Sequence, residues 1–269
     1  MTELLKEVFG VDKALIGVVH LPPLPGSPCY GGDFNEVVKR ALRDARAYKE
    51  GGMHGIIIEN FGDMPYYPTK VPPITVAAMA FVACKVSEVV DIPIGVNVLR
   101  NDGVAALSIA YAVGGGFIRV NVLTEAVVTD QGIIEGVAHE LLRFRRFIGA
   151  ENVKIFADVH VKHGYPLLRR SIVESAIDTV HRGLADAVIV SGKATGAETP
   201  LQDVKSVKDA LGNVPVLVGS GVNERNVAEY LKVCDGVIVG TSLKVNGVVE
   251  NPVDVNRVRR LVEAAEKVR

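Results

Sequence analysis

Eight short runs rich in Val and Ile recur at fairly even intervals along the chain. They are ALIGVVHL at 14–21, GIIIEN at 55–60, IPIGVNVL at 92–99, FIRVNV at 117–122, VKIFADVHV at 153–161, AVIVSG at 187–192, PVLVGSG at 215–221 and GVIVGTS at 236–242. The segments between them have helical spacing, as in DFNEVVKRALRDARAYKE at 33–50, and several close on glycine just before the next run, as at Gly51–Gly52 and Gly183. Strand and helix alternating in this way imply right-handed crossovers and a parallel sheet. Eight such units predict an α/β fold, a single (β/α)8 TIM barrel occupying residues 1–269. A short amphipathic helix in MTELLKEVFG precedes it, and PVDVNRVRRLVEAAEKV closes the last unit.

Length fits that reading, since a barrel of this kind needs about 250 residues and the chain has 269. No linker, low-complexity tract or charge block interrupts the pattern. An open dinucleotide-binding sheet is the rival architecture, but its glycine fingerprint must follow the first strand and open a helix. The run Gly114–Gly115–Gly116 instead precedes a strand and reads as a tight turn. A formal net charge of −1 offers no basic surface for nucleic acid. Cys29, Cys84 and Cys234 are far apart, which argues against a disulfide framework or a zinc finger and fits a reducing cytoplasm. The N-terminus lacks the uninterrupted apolar stretch of a signal peptide, and no apolar run is long enough to span a membrane.

In a barrel strand, alternate side chains point outward to the helices and inward to the lumen, and the outward row must be apolar to pack. On that rule Ile155, Ala157 and Val159 go outward, which turns Phe156, Asp158 and His160 inward with Lys162 just beyond. Ile118, Val120 and Val122 outward turn Arg119 and Asn121 inward. Val96 and Val98 do the same for Asn97, while Glu59 shares its inner row with Ile57, and His20 shares its row with Ile16 and Val18. All these polar groups fall near C-terminal strand ends, where barrel enzymes place their chemistry. Burying two carboxylates and a guanidinium with no ligand to meet would be costly, although pairing of Glu59 or Asp158 with Arg119 or Lys162 is a purely structural alternative.

The last two strands end in Gly219-Ser220-Gly221 and Gly240-Thr241-Ser242, where many barrels bind a phosphate through backbone amides. Ser220, Thr241 and Ser242 add hydroxyl donors there, and Lys244 adds a nearby charge. Lys193, in SGKATGAETP, can neutralise an anion or act as an amine nucleophile if desolvated. His160 and His163 straddle a strand end and are not expected to share a face. Asp63, Asp102 and Asp130 follow strands, and helix capping suffices to explain Asp102 and Asp130.

The loops carry a resemblance as well. VVHLPPLPGSP at 18–28, ENFGDMPYYP at 59–68, GVNVLRND at 95–102, FIRVNVLTEAVVTDQGIIEG at 117–136, DVHVKHGYPL at 158–167, SGKATG at 191–196, VGSGVNERN at 218–226 and GTSLKVNG at 240–247 resemble the BtpA family over nearly the whole chain. Glu125 departs from the pattern, where a small residue is the norm. The resemblance implies a TIM barrel of the phosphate-binding type and, in oxygenic phototrophs, a role in photosystem I biogenesis. It carries over no catalytic assignment.

The residues together lead to the expectation of a cytoplasmic enzyme acting on a small phosphorylated metabolite, a sugar phosphate or phosphoribosyl compound. Its chemistry would be of the lyase, isomerase or glycosyl-transferring kind. Asp158 or Glu59 would act as general base or acid, His160 and His20 as proton carriers, and Arg119 and Asn121 as stabilisers of negative charge. No cofactor is implied and homo-oligomerisation is expected. The alternatives are a non-catalytic assembly or stability factor for a membrane protein complex, and a metal-dependent hydrolase holding its ion through His20, His160 and a carboxylate.

Overall fold

A computed structural model of the chain describes residues 3–268. In chain order the elements are α1 (Glu3–Phe9), β1 (Ala14–His20), α2 (Phe34–Glu50), β2 (Gly55–Glu59), α3 (Pro73–Ser87), β3 (Ile94–Asn97), α4 (Gly103–Ala112) and β4 (Phe117–Val120). They continue as β5 (Ala126–Thr129), β6 (Gly132–Glu135), α5 (Ala138–Phe147), β7 (Lys154–Val159), β8 (Gly164–Pro166), α6 (Ile172–His181), β9 (Ala187–Val190) and α7 (Leu201–Leu211). The last are β10 (Val216–Val218), α8 (Val227–Leu231), β11 (Gly236–Val239) and α9 (Val255–Glu266). Eight strands close a parallel barrel in the order β1-β11-β10-β9-β7-β4-β3-β2. Each of the eight Val/Ile-rich runs supplies one of them.

The two rows of side chains separate into two apolar layers, as strand alternation requires. Leu15, Val19, Ile56, Ile58, Val96, Val120, Ala157 and Val190 pack outward against the helices. Ile16, Val18, Ile57, Phe117, Phe156, Ile189, Leu217 and Ile238 fill the lower lumen. Beneath them α1 closes the N-terminal end of the barrel with Leu5 and Phe9. The Phe9 ring meets Phe117 edge-on at 5.2 Å, and Phe117 stacks on Phe156 at 4.9 Å. The lower lumen is therefore filled with apolar side chains, and the polar groups of the inner row lie at its C-terminal mouth.

Local chemistry sets the helix starts. Asp33 accepts the amides of Asn35 and Glu36 ahead of α2, Asp102 accepts that of Ala105 ahead of α4, and Ser171 with Glu174 forms a capping box on α6. Asp130 departs from the expected capping role. It sits in the turn of a β5–β6 hairpin inserted after β4, and β8, from the loop after β7, pairs with that hairpin to make a three-stranded antiparallel sheet in the order β6-β5-β8. Alternation in AVVT and GIIE explains it, since Val127 and Ile134 face inward onto Val122 and Val161 while Val128 and Ile133 stay exposed.

Truncation of the plug tests its contribution. Phe9→Ala is expected to cost about 3 kcal/mol in urea unfolding with an unchanged denaturant slope, as the cavity left by a buried aromatic ring demands; a cost below about 1 kcal/mol would show that α1 does not seal the lumen.

Candidate active site

The strand registers place His20 beside Glu59 and Glu59 beside Asn97, so three of the expected residues form one row across β1, β2 and β3. Arg119 is on the same inner face of β4. Its guanidinium, with the residue 2% exposed, makes a two-pronged contact with Asp158 through Nε at 2.9 Å and Nη2 at 2.8 Å. Asp158 also accepts from Asn121 Nδ2 at 2.8 Å and from Ser191 Oγ at 3.3 Å. Asn97 in turn donates to the Arg119 carbonyl and to Asn121 Oδ1. The Asp158 carboxylate is thus held by three side chains from two neighbouring strands, Arg119 and Asn121 on and just past β4 and Ser191 just past β9. Attraction to Asp158 keeps the buried Arg119 guanidinium firmly charged against the desolvation that opposes it.

Glu59 is different. Its carboxylate lies 3.8 Å from His20 Nε2 and 4.0 Å from Arg119 Nη1, and it makes no hydrogen bond among the described residues although the residue is 3% exposed. Burial and the surrounding positive charges of Lys244, Lys162 and Arg119 hold His20 well below its ordinary range, so its ring is neutral near pH 7. Its Nδ1 is buried without a partner among the described residues. Lys162 has no hydrogen bond or ion pair through its ammonium among the described residues. Burial, with help from Arg119 and against the pull of Glu59 and Asp158, lowers that ammonium to about 8.

His20, Glu59, Arg119 and Lys162 line a cavity of about 160 Å³ together with Gly219-Ser220-Gly221 and Gly240-Thr241-Ser242. Both glycine turns come within reach of the lumen for steric reasons. Gly221 has φ +72°, and a Cβ there would lie 2.3 Å from Glu198 Cα; at Gly240 a Cβ would lie 2.6 Å from His20 Cε1. The amides of Gly221, Thr241 and Ser242 make no backbone hydrogen bond among the described residues. The hydroxyls are less free than the sequence led us to expect. Ser220 Oγ accepts from the Gly192 amide and Ser242 Oγ donates to the Val222 carbonyl, while the Thr241 hydroxyl makes no hydrogen bond among the described residues. Lys244 points away altogether, fully buried against Asp44 at 2.8 Å.

A second, wider cavity of about 740 Å³ adjoins the first and shares Glu59, Lys162 and Thr195 with it. Phe61, Met64, Tyr66 and Leu99 give it apolar walls, while Arg100, Asp130 and Tyr165 add polar groups. Lys193 lines this cavity from an exposed loop. His163 ties the same loop down through Thr195 at 3.0 Å.

His160 does not join the cluster. It takes φ +50° just past the end of β7, which swings the ring out of the lumen to Ser175 Oγ on α6 at 3.1 Å. Ser175 donates onward to Glu125, and Arg170 bridges Glu125 and Asp178. The ligand set of His20, His160 and a carboxylate is therefore not assembled, and among the described residues no three His, Cys, Asp or Glu side chains converge on a metal position. Arg100 was not singled out in the sequence. It is 4% exposed, lies beyond the end of β3 where alternation no longer applies, and donates to the Lys162 carbonyl.

The BtpA family model matches residues 11–267. The chain belongs to the BtpA family. Its relatives include an uncharacterized protein of Thermococcus kodakarensis, 52% identical over 96% of this chain and 97% of that protein. The photosystem I biogenesis protein BtpA of Synechocystis is 45% identical over 97% of this chain and 90% of its own length. Among solved structures, N-(5'-phosphoribosyl)anthranilate isomerase from Pyrococcus furiosus superposes with a TM-score of 0.59 at 15% identity, covering 95% of this chain and all of that one. That likeness shows a shared barrel fold. No helix of this BtpA-family chain, among the described residues, is long and apolar enough to cross a membrane.

The contrast between the two acids can be measured. Asp158→Ala strands a buried guanidinium and is expected to cost about 3–5 kcal/mol in chemical unfolding, whereas Glu59→Gln should stay within about 1 kcal/mol of the parent. Equal costs would refute the division between a pinned and a free carboxylate.

Proposed function

We propose that the chain is an enzyme that acts on a small phosphorylated metabolite, a sugar phosphate or phosphoribosyl compound, by acid–base chemistry of the lyase, isomerase or glycosyl-transferring kind. One observation carries the reading: a single cavity is lined both by two glycine turns, whose amides at Gly221, Thr241 and Ser242 make no backbone hydrogen bond among the described residues, and by Glu59, His20, Arg119 and Lys162. An anion at the turns meets the amides of Gly221, Thr241 and Ser242 and the Thr241 hydroxyl. The rest of the ligand then extends past Glu59 and Lys162 into the wider cavity, whose apolar walls suit a larger organic group.

In this reading Glu59 moves the proton, because its carboxylate is the one that no hydrogen bond holds. Neutral His20 exchanges a proton with it through Nε2. Asp158 is a positioning residue that fixes Arg119, and Arg119 with Asn121 steadies negative charge developing above the apolar floor, where charges interact more strongly than in water. Two exposed free thiols, Cys29 and Cys84, suit the reducing cytoplasm in which such metabolites occur.

A second reading, an assembly or stability factor for a membrane protein complex, has one observation in its favour. Val128, Ile133, Tyr165, Leu167 and Leu168 expose apolar surface on and beside the small sheet. It gives the buried polar row no task, so the enzymatic reading leads.

Titration calorimetry with sulfate, which keeps its charge between about pH 7 and pH 9, tests the anion site and its pH dependence. The Lys162 proton is present below about 8 and lost above it. Sulfate affinity should therefore fall as pH rises through that value, and the fall should vanish in Lys162→Met. Gly240→Ala, which drives a methyl group into His20, should weaken binding of ribose 5-phosphate on the order of tenfold. Absence of binding of either anion at millimolar concentration would overturn the proposal.

A further inference from the structure

We propose that Lys162 is a nucleophile that forms an imine with the carbonyl carbon of an aldehyde or ketone phosphate held with its phosphate at the glycine turns. The inference rests on the phosphometabolite reading and narrows it to carbonyl-bearing substrates. Three observations of geometry support it. Lys162 lines both the narrow cavity, whose wall includes Gly221 and Thr241, and the wide one, so it stands where the two meet. Its ammonium has no ion pair within 4.0 Å among the described residues, in contrast to Lys244, which is locked to Asp44 at 2.8 Å. Its own carbonyl is gripped by Arg100, which fixes the backbone from which the side chain projects.

A lysine attacks only as the free amine, and a hydrated, ion-paired lysine at neutral pH is almost wholly protonated. Burial beside Arg119 brings Lys162 to about 8, so a usable fraction is neutral near pH 7. Lys193, the other lysine at the mouth, is exposed and lacks that environment.

The proton account closes with Glu59, which lines the same junction. Glu59, more than 4.0 Å from the Lys162 ammonium, takes one proton from it through a single bridging water. The amine lone pair then bonds to the carbonyl carbon as the C=O π bond breaks, and a second proton passes from nitrogen to that oxygen to give a carbinolamine. The C–O bond breaks as nitrogen supplies the pair for C=N. The oxygen leaves as water with the proton returned by Glu59, and the product is a protonated imine. The positive nitrogen then withdraws electrons from the adjacent carbon, which serves either C–C cleavage or proton removal.

Borohydride trapping tests this on the intact wild-type protein, with dihydroxyacetone phosphate, glyceraldehyde 3-phosphate and ribose 5-phosphate as probes. The expected result is an adduct heavier by the probe less one oxygen atom, mapped by peptide mass to Lys162 and suppressed by excess inorganic phosphate. Labelling should fall about tenfold or more in Lys162→Arg, which keeps a cation but removes the nucleophile. If calorimetry shows a probe bound while no adduct forms, or adducts fall on Lys193 or other surface lysines alone, the imine is overturned and the phosphate site stands. If no probe binds and no adduct forms, both fall together.

Discussion

A guanidinium inside a closed barrel is the constraint to which the rest of the site answers. Arg119 stands on the inner face of β4 with apolar side chains beneath it and almost no access to solvent. A buried charge of this kind persists only when its hydrogen bonds are met, and Asp158 on the neighbouring strand meets two of them. The carboxylate must then be satisfied in its turn, which Asn121 and Ser191 accomplish. One buried cation thereby dictates side chains on β4, on β7, and just past the ends of β4 and β9.

That requirement divides the polar groups of the mouth into two populations. Arg119, Asp158, Asn121 and Asn97 bond one another and form a fixed platform. Glu59, His20, Thr241 and Lys162 are left with weak contacts or unmet bonding capacity, and they face the narrow cavity together with Arg119 of the platform. A rigid floor beneath a few uncommitted donors and acceptors is the arrangement in which binding a ligand restores the lost hydrogen bonds without reorganising the protein.

Much of this was legible from residue order because the barrel obeys one rule on every strand. Alternation placed Arg119, Asn121 and Asp158 on the correct face, and the neighbouring row of His20, Glu59 and Asn97 with them, since each lies within the strand ladder or next to its end. The rule lapses where the ladder stops. His160, one residue past β7, adopts a left-handed conformation that no apolar pattern announces, and the same boundary hid Arg100. Lys244 escapes local reading for another reason. Its nearness to the glycine turn in sequence suggested an anion contact, while its partner Asp44 lies two hundred residues away on α2, a distance in sequence that local reading does not bridge. The hydroxyls of Ser220 and Ser242 lie in the cavity wall but are bonded to the Gly192 amide and the Val222 carbonyl, partners that residue order does not announce.

The small sheet over one side of the mouth is stitched from two different loops, a hairpin after β4 and a single strand after β7. Barrel loops commonly diversify one at a time, each free to lengthen or change while the strands stay put. Here such independence is forfeited, because a new hairpin would have to offer β8 a matching edge and a new β8 would have to keep Lys162 two residues before its start. Changes of length on this flank therefore couple the two loops, whereas Tyr165 and Asp130, which line the wider cavity, can be exchanged with the backbone pairing kept.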